Sequence, residues 1–356
     1  MAARITIMAG GTGGHVYPAL AVAQELAARG WQISWLGTPD SFESRIVPVH
    51  GFELDVIAAY RLRGQGARDR LLAPFRLLRA MGQAWGVLRR RQPQVVLGMG
   101  GFVTGPGGLV CRLRSTPLVV HEQNAIPGLT NRLLARIATR VLEAFPCSFP
   151  VTVGARVTGN PIRQEIVALP EPQPITADRP LHLLVMGGSL GAQALNETVP
   201  EAMALLDRAQ RPLVRHQAGR GKATETERGY ALHAVDADVS EFLFDMAEAY
   251  GWADLVICRS GALTVSELTA AGVPAILVPF PYAVDDHQTV NARFLTDAGA
   301  ARLLPQQEMS AQSLAFVLKE LLADRATLHA MALRAYEHAR RDATRQVADA
   351  CEELAA

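Results

Sequence analysis

The feature that most constrains the fold is a pattern that occurs twice: an apolar run, a glycine-rich turn and a segment of helix-forming residues. The first copy has its run at residues 4–8 and its turn at Gly10-Gly-Thr-Gly-Gly-His15, and the second has them at 181–186 and 187–191. A strand, a tight turn and a helix in this order open a parallel α/β sheet, and the turn then lies at the ligand-binding edge. Two such openings in a chain of 356 residues predict two Rossmann-like domains.

The composition is that of a globular protein with a small net charge. Apolar residues make up 49% of the chain, the net charge is +1, and the four cysteines lack metal-ligand or redox spacing. These values do not favour a nucleic-acid partner, and they predict reduced cysteines in a cytosolic protein. No apolar run reaches the ~18 residues of a spanning helix, and we expect no secretory signal. A proline-rich stretch indicates a boundary between domains at 1–161 and 162–340.

A nucleotide site is predicted by the stretch Arg259-Ser-Gly-Ala-Leu-Thr-Val-Ser-Glu267. It lies between an apolar run at residues 255–258 and helix-forming residues at 262–271. Such a strand-to-helix turn directs unpaired backbone N–H groups and the positive end of a helix dipole at one spot, which suits a diphosphate. Ser260 and Glu267 share a helix face, so that the carboxylate is available to a ribose diol. A structural turn with a solvated glutamate is the alternative.

Polar groups follow several predicted strands of the first domain. Four glycines in the first turn let the backbone approach an anion, but Val16 stands where the dinucleotide fingerprint needs its third glycine. His15, at the helix entrance, is either a packing residue or a base that faces the ligand. A second glycine-rich turn at residues 98–108 and the polar stretch His121-Glu-Gln-Asn124 also follow strands. Open α/β sheets bind ligands there, although an ordinary polar loop is the alternative at the last stretch.

Residues 61–91 form a basic segment. Nine arginines and one acid give this segment a local charge of +8. Apolar residues recur in it at helical spacing, and they are Leu71, Phe75, Leu78, Met81, Trp85 and Leu88. Such a stripe usually packs in a core, but its first residues, with Leu72, also suit an anionic membrane surface. Both interpretations can hold at different ends of the segment.

Apolar and alternating runs predict the remaining strands and helices. The predicted strands are residues 31–37, 52–58, 94–97, 118–120, 212–216, 239–242, 255–258 and 275–278. A helix is predicted at 19–28, and the chain is expected to be helical from residue 310 onward.

Six motifs in one order along the chain resemble the family of peptidoglycan N-acetylglucosaminyltransferases. They are Gly10-Gly-Thr-Gly-Gly-His15, His121-Glu-Gln-Asn124, Gly159-Asn-Pro-Ile-Arg163, Gly187-Gly-Ser189, the stretch from Arg259 to Glu267, and Gln288. The resemblance implies an α/β fold of the GT-B glycosyltransferase type, with two Rossmann-like domains facing across a cleft and a last helix, about residues 341–356, that returns to the first domain. It also implies inverting transfer of GlcNAc from UDP-GlcNAc to lipid I (undecaprenyl-diphosphate-MurNAc-pentapeptide), giving lipid II, by a peripheral protein at the cytoplasmic face of the membrane.

The same resemblance implies roles for individual residues. Thr12, Gly13 and Gly14 would approach the donor sugar and the acceptor diphosphate, Asn124 would contact GlcNAc, and Arg163 and Ser189 would contact the uridine diphosphate. Backbone groups near Leu243 would bind uracil, and Ala262, Leu263 and Thr264, followed by Val265 and Ser266, would form the diphosphate-binding helix start. Glu267 would bind the ribose and Gln288 the GlcNAc hydroxyls. Leu190, Phe102 and the loop around Asp285 depart from the family pattern, so their roles stay open.

The transfer needs a base for the acceptor hydroxyl and stabilisation of the leaving UDP. His15 is the predicted base with Glu122 in reserve, while helix N–H groups and Arg163 stabilise the leaving group. We expect no metal or cofactor, because Asp236-Ala-Asp238 lies between predicted elements rather than beside the phosphate turn. A UDP-GlcNAc 2-epimerase and a non-catalytic sugar-nucleotide-binding module are the rival functions. The glycine spacing of both halves disfavours a nicotinamide oxidoreductase.

Overall fold

Short apolar runs of the chain build two separate parallel sheets. The computed structural model describes residues 2–59, 67–188 and 191–355, with all their side chains except those of 67–71 and 284. The chain divides into unit 1, Met1–Arg163 with Arg340–Ala356, and unit 2, Gln164–Ala339. Each glycine-rich opening therefore heads its own α/β unit.

The strands and helices alternate along most of the chain. The strands are β1 (Arg4–Met8), β2 (Gln32–Gly37), β3 (Glu53–Val56), β4 (Val95–Gly98), β5 (Leu118–Glu122), β6 (Arg140–Glu143), β7 (Arg156–Val157), β8 (His182–Met186), β9 (Leu213–Gln217), β10 (Asp238–Ser240), β11 (Leu255–Cys258), β12 (Ala275–Leu277) and β13 (Ala301–Leu303). The helices are α1 (Gly13–Ala28), α2 (Phe42–Ile46), α3 (Ala67–Arg91), α4 (Thr104–Leu113), α5 (Leu129–Leu134), α6 (Gln164–Val167), α7 (Gln193–Ala204), α8 (Ala223–Leu232), α9 (Met246–Trp252), α10 (Ala262–Ala271), α11 (His287–Thr296), α12 (Ala311–Ala323), α13 (Arg325–Glu337) and α14 (Ala343–Ala355).

Both sheets are parallel and doubly wound. The order of strands is β3-β2-β1-β4-β5-β6-β7 in unit 1 and β10-β9-β8-β11-β12-β13 in unit 2. The chain order reverses between β1 and β4 and again between β8 and β11, and ligands bind at such switch points. The topology therefore brings the glycine turns after β1 and β4 together in unit 1. In unit 2 it brings the glycine turn after β8 beside the start of α10.

Unit 1 has helices on both faces of its sheet. Helices α1 and α14 cover one face, while α3 and α4 cover the other. Val347 and Cys351 of α14 are fully buried in the first of these cores. At its edge the Arg29 guanidinium lies 2.6 Å from an Asp349 oxygen and 2.7 Å from a Glu352 oxygen. The last helix of the chain is thus part of the first unit.

The secondary structure differs from the sequence expectation in two ways. The expectation omitted β6, β7 and β13, of which β7 has only two residues and β13 only one buried residue. The five strands expected after residue 180, at 181–186, 212–216, 239–242, 255–258 and 275–278, are therefore one too few, since the second sheet has six strands. Helix α1 begins at Gly13 rather than at residue 19. Residues 13–18 include two glycines and a proline, which have low helix propensity, so the sequence pattern did not predict this part of the helix.

Residues 67–91 of the basic segment form α3, and the two ends of its apolar stripe differ in exposure. Leu88 is fully buried, whereas Leu72 is 46%, Phe75 71% and Leu78 64% exposed. The core interpretation is therefore confirmed for Leu88 and wrong for Phe75, Leu78 and Trp85, the last of which is 40% exposed. Residues 60–66 and the Leu71 side chain lie outside the described residues. Of the helices in the described ranges, none is long and apolar enough to cross a membrane.

Candidate active site

The first glycine turn is anchored by a buried carboxylate, that of Glu43. One oxygen of Glu43 accepts from the Gly11 N–H at 3.0 Å, and the other accepts from the Thr38 N–H at 3.0 Å and from the Thr38 hydroxyl at 2.7 Å. Burial on its own raises the pKa of Glu43, but these hydrogen bonds outweigh it and hold the pKa below its ordinary value. A Cβ on Gly10 would lie 2.6 Å from the same carboxylate, so only glycine fits there. Glu43 therefore sets the conformation of the turn.

His15 lies in the first turn of α1, with its ring against the second glycine turn. Its Nδ1 is 3.2 Å from the Gly10 carbonyl oxygen, which can only accept. Nδ1 therefore carries the hydrogen, and the neutral ring has its lone pair on Nε2. A Cβ on Gly100, whose φ is +99°, would lie 2.9 Å from the His15 ring. The two glycine turns thus enclose the imidazole in a fixed orientation.

The residues beside His15 form the entrance of α1. Thr12 is the N-cap residue, and its side chain makes no capping hydrogen bond. The first N–H groups of α1, at Gly13 and Gly14, therefore point out along the helix axis, as an anion site requires. The Arg163 guanidinium lies 5.3 Å from the centroid of the Tyr17 ring, in the same unit.

At the carboxyl end of β5, the Glu122 side chain holds the following loop in place. One oxygen accepts from the Asn124 N–H at 2.9 Å and from the Asn124 side-chain amide at 3.2 Å. The other accepts from the Gly128 N–H at 3.1 Å and from the Asn131 side-chain amide at 2.9 Å. Glu122 is 1% exposed, so its oxygens face these donors rather than solvent. This arrangement orients Asn124 and occupies the carboxylate that we held in reserve as a base.

Two of the predicted motifs are joined by buried hydrogen bonds. His121 Nε2 donates to the Gly159 carbonyl at 2.9 Å, and the Asn160 side-chain amide donates to the Gln123 carbonyl at 3.1 Å. Burial lowers the pKa of His121 to about 4, although its bond to Gly159 acts in the opposite direction. His121 is therefore neutral near pH 7 and acts as a structural link between the end of β5 and the chain that leads to Arg163.

In unit 2, α10 begins without a side-chain cap. Gly261 is its N-cap residue, with φ −63° and ψ 145°, and provides no side chain to accept from the first N–H groups. Ala262 is buried, and Leu263 and Thr264 are half-buried behind it. Gly261 adds no side-chain acceptor at this turn, and the positive end of the helix dipole lies there, as an anion site requires.

Glu267 lies further along α10 and is buried. It is 4% exposed, and the hydroxyl of Tyr250, on α9, donates to its Oε2 at 3.2 Å. The alternative of a solvated glutamate was therefore wrong. Val265 is buried, while Ser266 donates back to the Ala262 carbonyl at 3.0 Å and so belongs to the helix rather than to the turn.

Gln288 is hydrogen-bonded to the turn that precedes α10. The Ser260 hydroxyl donates to the Gln288 carbonyl at 2.8 Å, and the Gln288 Oε1 accepts from the Phe280 N–H at 2.8 Å. The loop between Phe280 and Gln288 is thus closed by its own side chain, and the Gln288 amide nitrogen is directed away from that bond. Arg259 instead links the ends of neighbouring segments. One guanidinium nitrogen donates to the Val278 carbonyl at 3.1 Å, and another donates to the Gln306 side-chain oxygen at 2.6 Å.

The glycine turn after β8 is tied to the segment of Leu243. The Gln217 side-chain amide donates to the Gly188 carbonyl and to the Glu241 carbonyl, each at 2.9 Å. Leu243 follows, half-buried, between exposed phenylalanines. Ser189 and Leu190 lie outside the described residues.

Sequence reasoning missed three side chains that position the predicted ones. Glu43 and Gln217 each follow or end a predicted strand, which is the signal that would have found them. Tyr250 has no such signal, because only packing of α9 against α10 brings it to Glu267. Among the side chains that the structure describes, no three of His, Cys, Asp or Glu are grouped to hold a metal ion.

Comparison with known proteins agrees with this arrangement. Residues 5–143 match the glycosyltransferase family 28 N-terminal domain, and residues 182–347 match the C-terminal domain of the same family. A relative from Shewanella baltica (strain OS155) is 54% identical over 99% of this chain and 98% of its own length. It is named UDP-N-acetylglucosamine–N-acetylmuramyl-(pentapeptide) pyrophosphoryl-undecaprenol N-acetylglucosamine transferase. A protein of the same name from Pseudomonas aeruginosa (strain LESB58) is 53% identical over 100% of this chain and 99% of its own length.

Solved structures extend the comparison to the fold. MurG of Acinetobacter baumannii is 42% identical, covers 99% of each chain and has a TM-score of 0.84. The glycosyltransferase of kitacinnamycin is 18% identical with a TM-score of 0.75 over 100% of each chain, which is a likeness of fold alone. The expected GT-B type, with two Rossmann-like α/β domains, is confirmed. The chain therefore belongs to glycosyltransferase family 28, among its MurG N-acetylglucosamine transferases.

Proposed function

We propose that this protein transfers GlcNAc from UDP-GlcNAc to the muramyl sugar of lipid I, with inversion at the anomeric carbon, and so forms lipid II for peptidoglycan synthesis. The observation that carries the proposal is the 54% identity, over almost the whole chain, to a relative named for this transfer. The two switch-point sites supply the chemical groups that the reaction needs. Through lipid II the reaction would support cell shape and division.

The donor is assigned to unit 2. The helix start at Ala262, Leu263 and Thr264, where the N-cap residue Gly261 has no side chain, suits the diphosphate, and Glu267 lies one to two turns further, where it would bind the ribose diol. Backbone groups near Leu243 would bind uracil. The Gln288 amide nitrogen and Asn124 would read GlcNAc hydroxyls, and Ser189 would contact the diphosphate.

Proton transfer is assigned to His15 in unit 1. Its Nε2 lone pair would take the proton of the acceptor hydroxyl as that oxygen bonds to the anomeric carbon. The bond from this carbon to UDP breaks, and its electron pair leaves with the diphosphate. Glu122 is assigned a positioning role instead, because both of its oxygens already accept hydrogen bonds, one from Asn124 and the other from Gly128 and Asn131. Thr12, Gly13 and Gly14 would hold the acceptor diphosphate at the entrance of α1.

The leaving group would be stabilised by fixed dipoles and by Arg163. Helix N–H groups that point at a developing charge need no reorganisation during the reaction, which is the main source of such stabilisation. We therefore expect turnover to persist in a chelator and to fall when Arg163 is replaced by Ala. A complete loss of turnover that added metal restores would contradict this assignment.

Docking to the cytoplasmic face of the membrane is assigned to α3. Its exposed Leu72, Phe75 and Leu78 lie on a segment with a local charge of +8. Apolar burial and attraction to anionic headgroups are the two contributions to interfacial binding. The polyprenyl tail of lipid I remains in the bilayer, so a peripheral protein held there would meet its acceptor.

The test uses purified protein, labelled UDP-GlcNAc and a lipid I analogue. The expected product is the disaccharide-linked lipid, with the β-linkage that inversion gives. A UDP-GlcNAc 2-epimerase would convert UDP-GlcNAc without the acceptor, and a binding module would leave lipid I unchanged. The names of the relatives favour neither rival. Either of those outcomes would overturn the proposed transfer.

A further inference from the structure

One peptide group connects Glu43 to His15. The carbonyl between Gly10 and Gly11 accepts from His15 Nδ1 at 3.2 Å. The N–H of this same peptide, that of Gly11, donates to Glu43 Oε2 at 3.0 Å. In a trans peptide the N–H and the carbonyl point in opposite directions, so the imidazole and the carboxylate lie on opposite sides of one planar group.

We propose that Glu43 is a positioning residue for the reaction, which acts on His15 through the Gly10–Gly11 peptide. The inference rests on the proposed function, in which His15 is the base. It adds a carboxylate–peptide–imidazole chain to that function, in which the peptide takes the place of direct contact between acid and histidine.

The chain has a physical basis in hydrogen-bond cooperativity. A carboxylate that accepts from an N–H polarises the peptide and makes its carbonyl a stronger acceptor. A stronger acceptor at Nδ1 favours the tautomer with the Nε2 lone pair and stabilises the imidazolium that forms after proton transfer.

The surroundings of Glu43 keep this charge in place. Its other oxygen accepts two bonds from Thr38, which stabilise the ionised form and fix the side chain. Glutamine at position 43 keeps the shape of this side chain but lacks its charge, and its amide nitrogen cannot accept. The tautomer of His15 is therefore measured beside kcat, because a loss of stability alone would not change it.

The first measurement is made on the wild-type protein. Imidazole ¹⁵N chemical shifts in histidine-labelled protein report the tautomer of each ring, and the spectrum of His15→Gln assigns the His15 signals. We expect the Nδ1–H tautomer to predominate for neutral His15. Predominance of the Nε2–H tautomer would overturn the proposal.

The second measurement compares Glu43→Gln with the wild type on UDP-GlcNAc and a lipid I analogue. We expect kcat to fall about 10- to 100-fold, by analogy with the loss of a hydrogen-bond partner that orients a metal-bound histidine. The KM for UDP-GlcNAc should stay within about twofold, because the donor is assigned to unit 2. The Nδ1–H population of His15 should fall in the same variant.

The matched control is Glu143→Gln. Glu143 is also a buried carboxylate of unit 1 that accepts from two backbone N–H groups, those of Cys147 at 3.2 Å and Phe149 at 3.0 Å. Its replacement should lower stability without changing kcat or the tautomer of His15. Equal effects of both substitutions on kcat would mean that Glu43 acts only through stability.

A double-mutant cycle separates this inference from the proposed base. If Glu43 acts through His15, adding Glu43→Gln to His15→Gln should lower kcat little further. If His15→Gln leaves turnover intact, the base assignment itself has failed. If His15→Gln abolishes most turnover while Glu43→Gln leaves kcat and tautomer unchanged, only the peptide-mediated link is wrong.

Discussion

At the scale of single residues, three buried glutamates differ in what their oxygens contact. Those of Glu43 and Glu122 accept backbone N–H groups and so hold loops. Glu267 receives a bond from the hydroxyl of Tyr250, which comes from another helix. Because the free energy of a buried charge depends on its partners, residue type alone does not reveal these roles.

The proposed ribose contact can be tested by comparing Glu267 with its neighbour. Glu267→Ala should weaken UDP-GlcNAc binding by roughly 1–3 kcal/mol, the range for lost hydrogen bonds to a charged group. Tyr250→Phe removes only the hydrogen bond that orients the carboxylate, so it should weaken UDP-GlcNAc binding less than Glu267→Ala does. Isothermal titration with UDP-GlcNAc and with its 2′-deoxyuridine analogue measures both. Equal losses for the two donors would remove Glu267 from the ribose role.

At the scale of elements, α3 combines a buried end with an exposed apolar end. A helix that only packed against its sheet would not need Phe75 at 71% exposure beside arginines. The helix is amphipathic along its length, but only its carboxyl half meets the core.

The membrane assignment predicts a separation of effects on α3. Phe75→Ser should leave thermal stability nearly unchanged and weaken binding to anionic vesicles about 10-fold or more, the cost of one exposed aromatic that no longer enters the interface. Turnover of a long-chain acceptor in vesicles should slow, and that of a short soluble acceptor should not. Cosedimentation and the two turnover assays measure this.

Phe316 on α12 supplies the control for that prediction. It is a phenylalanine of similar exposure, 69%, on a helix of unit 2. Phe316→Ser should leave vesicle binding unchanged. If Phe75→Ser instead unfolds the protein, or slows both acceptors alike, Phe75 supports the fold and the docking surface lies elsewhere.

At the scale of the whole molecule, residues from the two ends of the chain complete one domain. Helix α14 buries Val347 in the core of unit 1 beside α1. Residues 164–339 form unit 2 between these two parts. The stability of unit 1 therefore depends on a helix that follows unit 2 in sequence.

This arrangement predicts that a change in α14 affects unit 1 and spares unit 2. Val347→Asp places an unpaired charge in the core and should destabilise unit 1 by roughly 3 kcal/mol or more. Arg345→Asp places the same aspartate at an exposed position of α14, so it should lower the stability of unit 1 far less. Amide hydrogen exchange should speed up in β1 and β4 but not in β8 and β11. Equal loss of protection in both sheets would contradict the separate stability of the units.

The fold class, the two-unit organisation and most of the strands follow from the amino-acid sequence alone, because glycine turns and apolar runs are local signals. The sequence also supplied the residues at the switch points, since ligand-binding turns follow strands in parallel sheets. The short strand β13 was not predicted, because it forms through its pairing with β12 rather than through a local apolar pattern. Only the tertiary structure decided that Glu43 anchors the first turn, that Tyr250 reaches Glu267 and that α14 packs on α1. Each of these contacts joins residues that no local pattern links, and burial against a distant element fixes them.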